Sequence, residues 1–115
     1  MQVTHYKQLI VWQKSMELVK EIYLISNSFP TEEKYGLASQ MRRAAVSIPS
    51  NIAEGYRRGT KEYKHFLSIS DGSTAELETQ LLIAENLYHH IQYKNAFSLI
   101  TEIQKILSTI IRNLS

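Results

Sequence analysis

Apolar positions along this chain recur at steps of three and four, and no segment alternates between hairpin turns. That spacing gathers side chains on one face of an α-helix and predicts an all-α chain. Four helical segments follow from it. The first spans about Leu9 to Asn27 and carries two adjacent apolar rows, Val11/Leu18/Ile22/Ile25 and Trp12/Met16/Val19/Tyr23. Ser26-Asn27-Ser28-Phe29-Pro30 stops it with polar cappers and a proline. The second is expected to open at Thr31 as N-cap, with Glu32 and Glu33 at the positive end of the helix dipole, and to run to about Arg57. Its stripe is Leu37, Met41, Ala44, Ala45, Ile48 and Ile52. Pro49 removes one backbone donor inside it, yet the apolar phase continues, which predicts one bent helix. Asn51 is expected to bond the carbonyl that Pro49 frees, and Gly55 and Gly59 to bracket the end of the helix, with Tyr56-Arg57-Arg58-Gly59-Thr60 as the turn.

The third segment starts near Thr60 and keeps one phase from Tyr63 through Phe66, Leu67, Ser70, Ser73, Leu77, Leu81, Ala84 and Tyr88 to Ile91. Ser73 and Glu76 have the spacing of a capping box after a break at Gly72, but the unbroken phase favours one long helix. Such a helix spans roughly 45–50 Å, with Gly72 and Ser73 admitting a close neighbour. The fourth spans about Tyr93 to Asn113. Short connections predict an antiparallel up-down four-helix bundle, a single domain over residues 1–115. Both rows of the first helix cannot face the centre of one bundle, so one of them predicts contact with a second subunit.

Composition narrows the setting. Hydrophobic residues at 43% and charged residues at 21% suit a folded domain, and the absence of cysteine excludes disulfides and thiolate metal sites. No apolar run approaches the roughly 20 residues needed to cross a bilayer, and Lys14, Glu17, Lys20 and Glu21 interrupt any leader-like core. The expectation is a soluble cytoplasmic protein with no membrane partner. The net charge of +2 is unevenly spread: residues 31–64 carry seven Lys/Arg against four Asp/Glu, whereas residues 65–90 carry Asp71, Glu76, Glu78 and Glu85 and no Lys/Arg. Such blocks form patches in a compact fold.

The candidate phosphate-binding set is Arg42, Arg43, Arg57, Arg58, Lys61 and Lys64, with Tyr56 and Tyr63 interleaved as stacking partners. A guanidinium forks onto phosphate oxygens and stacks on bases. Its competing reading is a solvated face with subunit salt bridges, and Glu54 lies three and four residues before Arg57 and Arg58. Candidate catalytic groups are weaker. Asn51, Glu54 and Gly55 read as packing of a bent helix; Ser47, Ser50 and Ser73 have no paired base. His5 and the adjacent His89 and His90 lack a ligand pattern. No catalytic residue, cofactor or metal is expected.

The chain resembles the 23S rRNA intervening-sequence protein family over nearly its whole length. The matching residues are Leu9-Ile10-Val11-Trp12-Gln13, Phe29-Pro30, Tyr35-Gly36-Leu37 and Gln40-Met41-Arg42-Arg43-Ala44-Ala45. They continue with Ser47-Ile48-Pro49-Ser50-Asn51-Ile52-Ala53-Glu54-Gly55 and Phe66-Leu67-Ser68-Ile69-Ser70-Asp71-Gly72-Ser73. The resemblance implies a bundle assembled as a homopentamer, with no catalytic activity. Some genes of the family lie inside insertions in bacterial large-subunit rRNA genes. A related group is the accessory protein of diversity-generating retroelements, which binds nucleic acid and a reverse transcriptase. The expected function is therefore a non-enzymatic RNA-binding accessory protein acting as an oligomeric basic ring. The alternative is a protein-interaction scaffold whose charged blocks serve subunit or partner contacts.

Overall fold

A computed structural model describes residues 4–115, and every regular element among them is helical. Four α-helices account for most of the chain: α1 (Ile10–Asn27), α2 (Leu37–Arg58), α3 (Thr60–Leu87) and α4 (Lys94–Asn113). Single 3-10 turns at Tyr6–Gln8 and Thr31–Glu33 precede α1 and α2. Helices α1 and α3 each pack against both α2 and α4, so the four elements enclose one core. Leu18, Ile22, Met41, Ile48, Ile52, Leu67, Leu77, Leu81, Ile100, Ile103 and Leu107 are wholly buried there. The apolar spacing read from the sequence thus names the core directly.

The two rows of α1 separate. Val11, Leu18, Ile22 and Ile25 enter the core. Trp12 and Val19 are half-buried at its margin, and Met16 and Tyr23 are exposed. Helix α2 begins later than the polar residues suggest. Thr31 lies in the 3-10 turn and caps nothing with its side chain; the helix opens after Gly36. The carboxylate at its positive end belongs to Glu33, whose Oε1 accepts from the Leu37 N–H at 3.3 Å. The other oxygen of Glu33 accepts from the Tyr88 hydroxyl at 2.5 Å, which ties this end of α2 to the end of α3.

Pro49 sits inside a continuous α2. Asn51 does not bond the Ala45 carbonyl: its Nδ2 donates to Ser47 O at 2.8 Å and Ser47 Oγ at 3.0 Å, one turn back along its own helix. Gly55 does not end α2 either. It is buried in the last turns, where an added Cβ would lie 2.6 Å from the Cβ of Phe66 and 3.3 Å from Cδ1 of Tyr63. Its missing side chain lets α2 and α3 approach. Small hydroxyls continue that seam, with Ser47 Oγ and Ser73 Oγ 2.8 Å apart and Ser70 Oγ donating to Ile48 O at 2.9 Å. The stop falls at Gly59, whose φ of 100° and ψ of 178° belong to glycine alone, and α3 starts at the next residue.

Helix α3 is unbroken over 28 residues, roughly 42 Å, in line with the 43 Å longest dimension of the molecule. It ends at Leu87 rather than near Ile91. There the Tyr93 hydroxyl reaches the carbonyls of Ala84 (3.1 Å) and Tyr88 (2.9 Å), closing the turn into α4. Ser73 meets a neighbouring helix as expected; Gly72 does not, for it is exposed with open space around it.

Candidate nucleic-acid interface

The six basic residues fall into two places. Arg42 and Arg43 lie in the first half of α2; Arg57 and Arg58 close that helix, and Lys61 and Lys64 open α3 across Gly59. Arg43 and Arg57 are roughly 21 Å apart along the helix at 1.5 Å per residue. The C-terminal end of α2 carries the negative pole of its dipole, which favours cations there.

Their surroundings differ more than their positions. Arg58 donates to Glu54 Oε2 (2.8 Å) and Glu62 Oε2 (3.2 Å), and its guanidinium lies 5.1 Å from the centre of the Phe66 ring. The hydrogen bonds of Glu62, then Glu54, raise its pKa further. A cation flanked by two carboxylates presents little net charge to a phosphate. Arg43, Arg57, Lys61 and Lys64 are exposed, and none of them pairs with a carboxylate among the described residues. Tyr56 and Tyr63 meet edge to face at 6.1 Å, and burial pushes the Tyr63 hydroxyl up in pKa. Tyr63 packs against the core, so its ring is committed there.

Arg42 finds partners that are all neutral. Its Nε donates to Ser26 Oγ and its Nη2 to Asn27 Oδ1, both at 2.8 Å, and its guanidinium covers the Tyr23 ring at 4.6 Å. The residues that stop α1 therefore also orient this arginine. Together with Arg43, it lines a surface groove of about 560 Å³ whose other walls include Tyr23, Lys34, Tyr35 and Ser39. Lys34 and Tyr35 escape a reading based on helical periodicity because they sit in the short segment before α2. Their sequence signal was a lysine and a tyrosine directly ahead of Gly36.

A family model described as 23S rRNA-intervening sequence protein matches residues 7–110. The chain belongs to that family. The match takes in all four helices almost to the end of α4. Its fold is similar to the crystal structure of a protein with unknown function from the S23 ribosomal protein family of Bacteroides thetaiotaomicron. The two share 24% sequence identity, with 89% of this chain and 98% of the other covered, at a TM-score of 0.76. No curated protein matches this chain. Among the described residues there is no group of three or more His, Asp or Glu able to hold a metal ion. No helix among them is long and apolar enough to cross a membrane.

Proposed function

We propose that this chain is a non-enzymatic RNA- or nucleic-acid-binding accessory protein of the cytoplasm. One observation carries the reading: Arg43, Arg57, Lys61 and Lys64 stand in solvent without carboxylate partners, so their charge remains available to phosphates. Arg58 serves the turn instead, and Arg42 serves the groove. We further read the bundle as antiparallel and up-down. Supporting this, Gly55 faces Phe66 while Ser47 meets Ser73, so positions rise on one helix as they fall on the next. Gln104 likewise meets Thr74, and Tyr93 meets Ala84.

A homopentamer with a reverse transcriptase as partner is the assembly that the family resemblance suggests. The exposed Met16 beside half-buried Trp12 and Val19 supplies an apolar strip suited to a subunit contact, while Tyr23 of the same row lies under Arg42. Several weak phosphate contacts on one ring then add through avidity. The scaffold reading draws on a different observation. Asp71, Glu76, Glu78 and Glu85 form no ion pair among the described residues and leave α3 with an acidic surface.

Binding of a structured RNA, followed by filter retention across a salt series, tests the principal reading. Affinity should fall linearly with salt on logarithmic axes, and Arg57→Ala plus Lys61→Ala should lower the slope by about 2, one per phosphate contact. Undetectable binding at low salt, or an unchanged slope in the double variant, refutes it.

A further inference from the structure

We propose that the groove lined by Tyr23, Lys34, Tyr35, Arg42 and Arg43 receives an unpaired nucleotide of a single strand, with its base on Tyr35 and its phosphate on Arg43 and Lys34. The proposal deepens the nucleic-acid reading above and rests on it.

Three features of the groove converge on that ligand. Tyr35 is 88% exposed, the most exposed large hydrophobic side chain among the described residues, and the Lys34 ammonium lies 5.5 Å from its ring centre. An aromatic ring left in water beside cations is a ready stacking surface for a base. Next, three cations line the groove and no carboxylate does. Finally, Arg42 is held in place by Ser26, Asn27 and the Tyr23 ring, all neutral, so its orientation is fixed while its full charge remains. A bare inorganic anion would use the cations and leave Tyr35 idle. An acidic peptide would satisfy the charge but would need an aromatic side chain of its own beside the carboxylate to use the tyrosine, whereas every nucleotide carries ring and phosphate together. A nucleotide uses both.

The strand must be single. In a duplex the bases are stacked on one another and cannot reach a side chain outside the helix without being extruded. The groove also lies about four turns of α2 from the corner formed by Arg57, Lys61 and Lys64, whose cations stand on both sides of Gly59 and reach the phosphates of either a single strand or a duplex. The two contacts therefore have separable signatures.

Fluorescence anisotropy with a labelled oligouridylate and an RNA duplex of equal length, at one low salt concentration, separates them. Base–aromatic stacking is typically worth about 5- to 150-fold in affinity per base, so Tyr35→Ala should weaken oligouridylate binding at least about fivefold and duplex binding less than about twofold. Tyr35→Phe keeps the ring and should restore single-strand affinity. Arg57→Ala should weaken both ligands alike. Tyr35 is so exposed that its replacement leaves the fold intact, which circular dichroism checks. Unchanged oligouridylate affinity in Tyr35→Ala, or equal losses on both ligands, overturns the groove while leaving the Arg57 corner standing. If the wild-type protein binds neither RNA, the nucleic-acid reading fails and the groove proposal fails with it.

Discussion

Replacing Gly55 with alanine tests the packing of α2 on α3 at its narrowest point. In an open helix the change is favourable, since alanine exceeds glycine in helix propensity by about 1 kcal/mol. Here the new Cβ would stand 2.6 Å from the Cβ of Phe66 and 3.3 Å from Tyr63 Cδ1. The nearer atom is the root of a side chain, so no rotamer of Phe66 can retreat and α3 itself must move. Overpacking of this kind costs typically about 1–3 kcal/mol, and more when backbone shifts are forced. With both contacts tight, the upper part of that range applies, and subtracting the propensity gain leaves a net loss of about 1–2 kcal/mol. For a domain of this size that lowers Tm by roughly 3–10 °C. Gly72→Ala is the matched control, because Gly72 is inside α3 with nothing within 4 Å of an added Cβ. It should stabilise by up to about 1 kcal/mol. Thermal and urea unfolding followed by circular dichroism, at one protomer concentration, measure both. A Gly55→Ala protein as stable as wild type would refute the close-approach account of this glycine.

Two further outcomes concern the ends of the bundle. Gly59→Ala places a side chain where φ is 100° and ψ 178°, and should cost about 1–3 kcal/mol in the same unfolding assay although the site is open. The hydrogen bond to Glu33, followed by burial, pushes the Tyr88 hydroxyl up to about 12 from an ordinary value of 10.0. The raised pKa means that this contact stabilises the fold fully below pH 10 and is lost as pH rises through about 12. Tyrosinate absorbance should show one late-titrating ring missing from Tyr88→Phe, and the variant should lose less stability than wild type across that interval. Identical alkaline titrations would count against the Tyr88–Glu33 link.

Much of the fold was legible because burial and periodicity coincide. Ile48, Ile52, Leu77 and Leu81 are wholly buried, as their helical spacing requires. The unbroken phase also carried α3 correctly past Gly72. Pattern and local structure part where one residue type serves two local geometries. Thr31 has the chemistry of an N-cap, but Gly36 offers a later start and Glu33 a carboxylate to serve it. Gly55 and Gly59 both resemble stops; only the positive φ of Gly59 makes one, and close packing across helices is a tertiary fact. The basic set was visible as residue types but not as pairings. Glu54 is spaced to reach either Arg57 or Arg58, and it engages Arg58.

These pairings divide α2 into two kinds of surface. Toward α3 it presents Gly55, Ser47 and the Ile48 carbonyl, each matched by a named atom of Phe66, Ser73 or Ser70. Away from the core it presents Arg43 and Arg57 to solvent. The Arg42–Gly55 stretch therefore combines two demands that need not act together. Substitutions on the α3 side should change unfolding free energy and leave salt-dependent RNA affinity untouched when measured on folded protein. Substitutions of Arg43 should do the reverse, because an exposed cation with no partner contributes little to stability. At Arg42 the two demands meet: its bonds to Ser26 and Asn27 hold the end of α1 while its charge faces the groove. Arg42→Lys keeps the charge but not the fork, so it should lose both stability and single-strand affinity, whereas Arg43→Lys should lose neither. If Arg42→Lys left both unchanged, the fixed guanidinium would have no part in either the fold or the groove.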